Sequence, residues 1–313
     1  MDLRNIFINE YGRLRSGFRL VIFVAAFLFI WIALTATIGL AYALLHDRLP
    51  RLPHEEFFQN MIYRVPLLVA ALGAGYLCTR FLEGLPWRAV GLTLHDKWLQ
   101  HFIVGSVIGI ASLLLAAGIA SAGGGLAFAV NNVTSPAHVV RSVLASGFLF
   151  VFAALAEEAT FRGYPVQTLT RAHWTWLGVF LTSVPFALAH LSNPNVVPGV
   201  TFANTALAGI WLAVAYLRTR SLWFPLGVHW AWNWAMGSLF GLPVSGLQLV
   251  GAPLFKAKDL GPAWLTGGSY GLEGGIASTI ALIASTLVIW RTGFVEATPE
   301  MLRLTSEEKR LGS

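Results

Sequence analysis

Two adjacent carboxylates, Glu157 and Glu158, lie near the end of a long apolar stretch of the sequence. An ionisable side chain at membrane depth is costly, so such residues are candidates for function. On a helix, Glu158 and Arg162 lie four residues apart on one face and can form an ion pair, whereas Glu157 points about 100° away. The pattern therefore indicates one carboxylate held by Arg162 and one that is free to bind water as a general base. A helix end in the lipid headgroup region is the alternative interpretation.

Histidines occur in two other apolar stretches. His190 follows Phe186 by four residues, and a lone histidine at this depth is also typical of a hydrogen bond between helices. His229 and Asn233 lie on one face of a helix, so both can donate hydrogen bonds towards one point. Such a pair suits an oxyanion, or a metal-bound water if His229 is a ligand. A contact between helices is again the alternative.

Together, these three motifs supply a base, a second polar group and a pair of donors on three different apolar stretches. No serine or cysteine is paired with a base in them, so water is the expected nucleophile. This combination is typical of a hydrolase. A transporter could use similar residues as an ion or proton path, but it predicts an internal repeat, and none stands out in the sequence.

The composition places these residues in a membrane protein. Of the 313 residues, 56% are hydrophobic and 12% are charged, with a mean hydropathy of +0.66, and a soluble fold could not cover its surface with so few charges. Disorder is excluded because too much of the chain is apolar. The net charge of +6 comes from basic residues at the ends of apolar runs, which indicates contact with anionic lipid and not with nucleic acid. The single cysteine, Cys78, excludes a disulfide framework and a cysteine-based zinc site.

The sequence predicts an all-α, polytopic membrane helix bundle with about eight transmembrane helices, each of which needs about 20 largely apolar residues. The predicted spans are 20–45, 61–79, 102–122, 139 to beyond 158, 174 to beyond 190, 202–217, 222–240 and 271–290. We expect three regions: an N-terminal three-span region (1–138), a catalytic core (139–240), and a region with a loop, the last span and a tail (241–313). The Gly/Pro-rich loop 241–268 is expected to cover one mouth of the bundle, and Thr298 to cap a short helix in the tail.

Eight spans place both termini on one side of the membrane. Fifteen of the lysines and arginines fall on that side, against four on the other, which are Arg48, Arg51, Lys256 and Lys258. Positive residues accumulate on the cytoplasmic side, so both termini are expected in the cytoplasm, and a bacterial inner membrane is the expected location. His229, about 10 Å into its span, places the site in the cytoplasmic half of the bundle.

One geometric conflict has to be resolved before these residues can meet. With simple spans, Glu157 lies near the cytoplasmic end of the fourth span, whereas His190 lies about 24 Å away in depth in the fifth. We therefore expect the fourth span to continue as a helix past Arg162 towards Thr170. The fifth span should then start lower and end near Pro194.

The sequence resembles the CAAX protease and bacteriocin-processing family of intramembrane endopeptidases, also called the Abi family. The three motifs of that family are Glu-Glu-x-x-x-Arg, Phe-x-x-x-His and His-x-x-x-Asn, and all occur here in family order within about 139–235. Residues 87–92 also resemble a segment that is often found upstream in the family. The resemblance implies a CAAX prenyl protease-like peptidase built as a helix bundle, with its active site below the cytoplasmic surface.

The resemblance also implies a role for each motif residue. Glu157 and His190 would activate water, and His229 and Asn233 would stabilise the oxyanion. Glu158 and Arg162 would hold the geometry of the site. Glu157, His190, His229 and Asn233 could also ligate a divalent metal such as zinc, although the His-Glu-x-x-His helix of zinc proteases is absent. We favour a metalloprotease class without assigning the metal a step.

The expected partners are the lipid bilayer and a peptide or membrane-protein substrate. An apolar cavity open to lipid would suit a lipidated substrate, such as a prenylated C-terminal peptide. No nucleic acid is expected. Besides the transporter, the alternative to an enzyme is a non-catalytic immunity or partner protein that retains the motifs.

Overall fold

The structure, a computed structural model, describes residues 4–45 and 55–306. The α-helices are α1 (Arg4–Phe7), α2 (Ser16–Leu45), α3 (Glu55–Leu77), α4 (Trp98–Ala122), α5 (Pro136–Glu158), α6 (Tyr164–Arg171), α7 (Thr175–His190), α8 (Val200–Thr219), α9 (Trp223–Trp234), α10 (Ala263–Thr266), α11 (Ile276–Arg291) and α12 (Pro299–Thr305). Turns of π-helix lie at Cys78–Leu82, Ala159–Gly163 and Ala235–Leu239, and short 3-10 helices at Trp87–Val90, Gly268–Tyr270 and Leu272–Gly274. The strands are β1 (Leu126–Val130) and β2 (Phe255–Asp259).

The helices confirm the predicted all-α polytopic bundle, and each predicted span coincides with a helix. Within the described residues, the helical segments long and apolar enough to cross a membrane are Ser16–Leu45, Arg64–Leu82, Trp98–Ala122, Pro136–Arg171 and Val200–Thr219. Helices α7 and α11 are also apolar but shorter, at 16 residues each. Large apolar side chains on α2, such as Phe29 and Ile32, are exposed, which is typical of a helix that faces lipid.

One long helical segment carries both glutamates. Helix α5, the π turn after it and α6 run without a break from Pro136 to Arg171, so the predicted continuation past Arg162 is confirmed. Helix α7 ends at His190 and not near Pro194 as predicted, because the residues that follow form turns. His190 therefore lies on the last turn of its helix.

Glycines bring α9, which carries His229, into backbone contact with α4. A Cβ atom at Gly105 or Gly109 of α4 would lie 2.3 Å from a carbonyl oxygen of α9, and one at Gly227 would lie 2.2 Å from the carbonyl oxygen of Phe102. Small residues allow the same close approach in other membrane helix pairs. The contact fixes the position of His229 relative to α4.

Helices α4, α8 and α11 are joined by buried hydrogen bonds. The Ser112 hydroxyl donates to Ser285 at 2.8 Å, and Trp211 Nε1 donates to the same oxygen at 2.9 Å. Hydrogen bonds of this kind hold helices together in lipid, where burial of apolar surface gives little driving force. The main apolar cluster, which includes Leu113 and Phe224, surrounds these bonds.

Ion pairs hold the start of α2, the end of α6 and the tail helix α12 near one another. Glu83 is buried between Arg19 of α2 and Arg171 of α6 and pairs with both. Arg88 pairs with Glu300 of α12 at 2.6 Å. The start of α2, the end of α6 and the tail helix therefore lie together. Four residues of the charge count, Arg48, Arg51, Lys309 and Arg310, are outside the described residues.

A small antiparallel sheet was not predicted. Strand β2 lies within the loop 241–268 and pairs with β1, Leu126 opposite Asp259 and Val130 opposite Phe255. The prediction of a plain loop was wrong at these residues, because the two short strands are far apart in the chain and neither has a long alternating pattern. Thr298 caps α12 as predicted, since its hydroxyl accepts a hydrogen bond from the Met301 N–H at 3.3 Å.

Candidate active site

A buried ion pair with a third partner forms the base of the site. Arg162 Nη1 lies 3.2 Å from Glu158 Oε1, and both side chains are fully buried. The same oxygen lies 2.8 Å from His229 Nδ1, and Arg162 also donates to the carbonyl oxygen of Gly209 at 3.2 Å. Glu158 is the last residue of α5, and Arg162 lies in the π turn that follows, a distortion often found at functional sites. The ion pair predicted from the four-residue spacing is therefore present, and its Glu158 oxygen also contacts His229 of α9.

Glu157 lies on a different face and has weaker contacts. Its side chain is 20% exposed; Oε2 lies 3.6 Å from His229 Nε2, and Oε1 lies 3.8 Å from Arg64 Nη1. Both distances are longer than the donor–acceptor distance of a hydrogen bond. The carboxylate oxygens therefore keep lone pairs that another ligand can use. Arg64, on α3, falls within the predicted span 61–79 and belongs to none of the three motifs. Its side chain partly offsets the charge of Glu157.

Hydrogen bonds assign the proton positions on both histidines. The Nδ1 atom of His229 lies against a carboxylate oxygen, and Nδ1 of His190 lies 2.7 Å from the carbonyl oxygen of Phe186. Both partners act as acceptors, so Nδ1 carries the proton in each ring. The Nε2 atom of His190 is then the basic nitrogen. The Nε2 atom of His229 points towards Glu157 and becomes a donor when the ring is an imidazolium.

Phe186 contacts three members of the site. The guanidinium carbon of Arg162 lies 4.5 Å from the centroid of its ring, within the range of a cation–π contact. The rings of His190 and His229 lie 4.5 Å and 6.2 Å from it, centroid to centroid. These contacts explain why a phenylalanine is useful four residues before His190: it packs against the ion pair and both histidines.

The site residues outside the buried ion pair open onto a cavity of about 370 Å³. Glu157, His190, His229 and Asn233 line it, whereas the fully buried Glu158 and Arg162 do not. Its walls are mostly apolar and include Phe27, Trp31, Phe150, Phe161, Trp211 and Leu212. The structure therefore brings all six predicted site residues together, four at the cavity surface and two behind it.

The cavity extends beyond the predicted core region of 139–240. Phe27 of α2 and Arg64 of α3 contribute to it from the N-terminal side. The loop expected to cover one mouth of the bundle contributes Val244 and Leu247, and Glu273 adds a second carboxylate. Glu273 falls at the start of the predicted span 271–290. A carboxylate at the start of an apolar span is the one sequence feature that could have marked it as a residue of the cavity.

The upstream segment 87–92 positions the start of α9. Gly91 has a φ of +103°, which favours glycine, and its carbonyl oxygen accepts a hydrogen bond from the Leu222 N–H at 2.9 Å. A Cβ atom at Gly91 would lie 3.3 Å from the Leu222 side chain. This turn therefore holds the helix on which His229 and Asn233 lie.

The predicted zinc ligands do not form a metal-binding cluster. Among the described residues, no group of three or more histidine, cysteine, aspartate or glutamate side chains is arranged to hold a metal ion. One nitrogen of His229 is also occupied by Glu158. Metal dependence stays a prediction.

These features define a polytopic helical membrane protein with a carboxylate–histidine centre in an apolar cavity. Residues 139–235 match the family model described as type II CAAX prenyl endopeptidase Rce1-like. The match confirms the resemblance drawn from the three motifs and contains all six predicted site residues. It supports a role as a CAAX-type intramembrane protease with a membrane-associated peptide substrate. No curated protein matches the chain.

Proposed function

We propose that the protein is an intramembrane endopeptidase in which Glu157 activates a water molecule. The observation that carries this proposal is that the two adjacent glutamates have different environments. Glu158 is fully buried, and its Oε1 atom is occupied by both Arg162 and His229. Glu157 faces the cavity together with His190, His229 and Asn233.

The reaction would proceed by general base and general acid catalysis. Glu157 takes a proton from water, whose oxygen attacks the carbonyl carbon of the peptide bond. His190 Nε2 accepts the second hydrogen bond of the water and orients it. Glu157 then passes its proton to the leaving nitrogen as the carbon–nitrogen bond breaks.

The charge that develops on the carbonyl oxygen needs donors. The side-chain amide of Asn233 and the Nε2–H of a protonated His229 can supply them, one turn apart on α9. Two carboxylates near His229 support its positive charge, at 2.8 Å for Glu158 and 3.6 Å for Glu157. Donors of this kind are worth about 10²–10³ in turnover.

The apolar walls of the cavity favour a substrate that enters from the membrane. A peptide with a lipid anchor, or a transmembrane segment, could place a peptide bond next to Glu157 without exposing its apolar part to water. The prenylated peptides of CAAX chemistry fall into this class. We propose a bacterial inner membrane as the location, with both termini in the cytoplasm.

The test of this function is a comparison of peptide termini in membranes. We expect mass spectrometry to find new termini when the wild-type protein is expressed, and far fewer with Glu157→Gln. Glu296→Gln, a change at an exposed residue away from the cavity, is the matched control and should behave as wild type. Identical termini with Glu157→Gln would favour a non-catalytic partner or a transporter. Loss of the termini on chelation, restored by zinc, would support the metal-dependent class.

The orientation can be tested with single cysteines after Cys78 is replaced. Leu94, 66% exposed, precedes α4, and Val133, 84% exposed, follows it. In intact cells, a membrane-impermeant thiol reagent should label Val133→Cys and spare Leu94→Cys until the cells are opened. The reverse labelling would invert the proposed topology and place the tail helix, which contacts the turn at Arg88, outside the cytoplasm.

A further inference from the structure

The second carboxylate of the cavity, Glu273, is held by three donors. Its Oε2 accepts hydrogen bonds from the Ser245 backbone N–H at 2.7 Å and from the Ser245 hydroxyl at 2.8 Å. Its Oε1 accepts one from Trp232 Nε1 at 3.2 Å. Hydrogen bonds to a charged acceptor are stronger than neutral ones, so this arrangement suits an ionised carboxylate in a fixed position.

Among the described residues, no lysine, arginine or histidine nitrogen lies within 4 Å of the Glu273 carboxylate, so none of them pairs with its charge. Burial raises the pKa of the neighbouring Tyr270 to about 12, with a further contribution from Glu273, so the phenol adds no charge. A charge in an apolar cavity at membrane depth is costly without a partner. Oε1 accepts one hydrogen bond here, which leaves capacity for a ligand.

Polar neighbours keep this part of the cavity in place. Asn204 donates to the Glu273 backbone carbonyl at 2.8 Å, and Asn193 donates to that of Ser245 at 3.0 Å. Both asparagines also line the cavity. These hydrogen bonds hold the carboxylate in place where α8, the loop after α9 and the segment before α11 meet.

We propose that Glu273, with Trp232 and Ser245, forms a subsite for a positively charged group of the substrate. The ligand is an ammonium or guanidinium group, which could come from a lysine or arginine side chain or from a free N-terminus. This inference rests on the proposed peptidase function. Because Trp232 directly precedes Asn233 on α9, the positive group would lie within a few residues of the scissile bond. A substrate carboxylate at this place would be repelled.

The subsite can be tested with synthetic peptide libraries and the purified protein in lipid vesicles. Each position is varied among lysine, methionine and glutamate, and every peptide is made with a free and with an acetylated N-terminus. We expect the wild-type kcat/KM to be on the order of tenfold higher for lysine than for methionine at one position. If the N-terminal ammonium is the ligand, acetylation should instead lower kcat/KM on the order of tenfold, whichever side chain is present.

Variants then assign the preference to Glu273. Glu273→Gln should abolish the preference for the positive group while methionine peptides are still cleaved, and Glu273→Lys should favour glutamate. Glu296→Gln is the control and should keep the wild-type preference. Equal cleavage of lysine and methionine peptides by the wild-type protein, with no effect of N-terminal acetylation, would overturn the subsite and leave the peptidase intact. No cleavage of any peptide by the wild-type protein would count against the proposed function instead.

Discussion

Replacing Arg162 with alanine is expected to lower the free energy of unfolding by about 3–5 kcal/mol, because it leaves Glu158 as a buried charge without its partner. Arg162 is fully buried, pairs with Glu158 at 3.2 Å and bonds the carbonyl oxygen of Gly209. Its guanidinium also lies over Phe186. All of these contacts are lost together. The melting temperature of the purified protein in detergent, with its yield from membranes, measures the effect.

A double variant separates the unpaired charge from lost packing. Arg162→Met with Glu158→Gln removes both charges and keeps most of the volume, so it should recover a substantial part of the stability lost in Arg162→Ala. Its activity should stay low, because the neutral amide can still accept from Nδ1 of His229 but no longer supports a positive charge on that ring. A normally stable and fully active Arg162→Ala protein would contradict the role given to the pair.

Glu157→Gln is expected to reduce turnover by about 10²–10⁴, because it removes the basic oxygen while it preserves size and hydrogen bonding. Stability should change little. Glu157 has no partner within hydrogen-bond distance among the described groups, and its contact with Arg64 is 3.8 Å long between side chains that are each 20% exposed. Removing one charge from the cavity also relieves a desolvation cost.

Melting temperature and turnover must be measured on the same Glu157→Gln sample. Full turnover in a stable variant would remove Glu157 from the mechanism. Lost stability with normal turnover of the surviving fraction would make it a structural residue. Arg64→Gln is a useful companion, because it changes the charge beside the proposed base without changing the base. We expect it to alter turnover less than Glu157→Gln does.

The part of the site that follows from local spacing could be predicted from the sequence. The four-residue interval between Glu158 and Arg162 fixes their shared face on a helix, and the same interval joins His229 to Asn233. The need for Glu157 and His190 to meet was enough to predict a helix that continues past Arg162 towards Thr170, and in the structure it ends at Arg171. These inferences use only helix geometry and the cost of charge in lipid.

The remaining features depend on contacts between distant segments. Arg64 and Glu273 lie outside the three motifs, and no spacing rule connects either to Glu157 or Trp232. The bond from His229 to Glu158 joins α9 to α5, and no local pattern in the sequence gives the relative rotation of these two helices. The pairing of β1 with β2 likewise joins strands more than a hundred residues apart. Such contacts follow from packing and not from sequence pattern.

The central claim is that Glu157 directs water to a peptide bond, and cleavage in ¹⁸O-labelled water tests it most directly. The purified protein in lipid vesicles would be given a peptide identified by the comparison of membrane termini, and the products analysed by mass spectrometry. In a single turnover with the protein in excess, we expect the wild-type protein to place one ¹⁸O atom in the new carboxylate and none in Glu157, and Glu157→Gln to form product about 10²–10⁴ times more slowly. Product formed at the same rate by Glu157→Gln, or a first turnover that labels Glu157 and not the product, would contradict this claim.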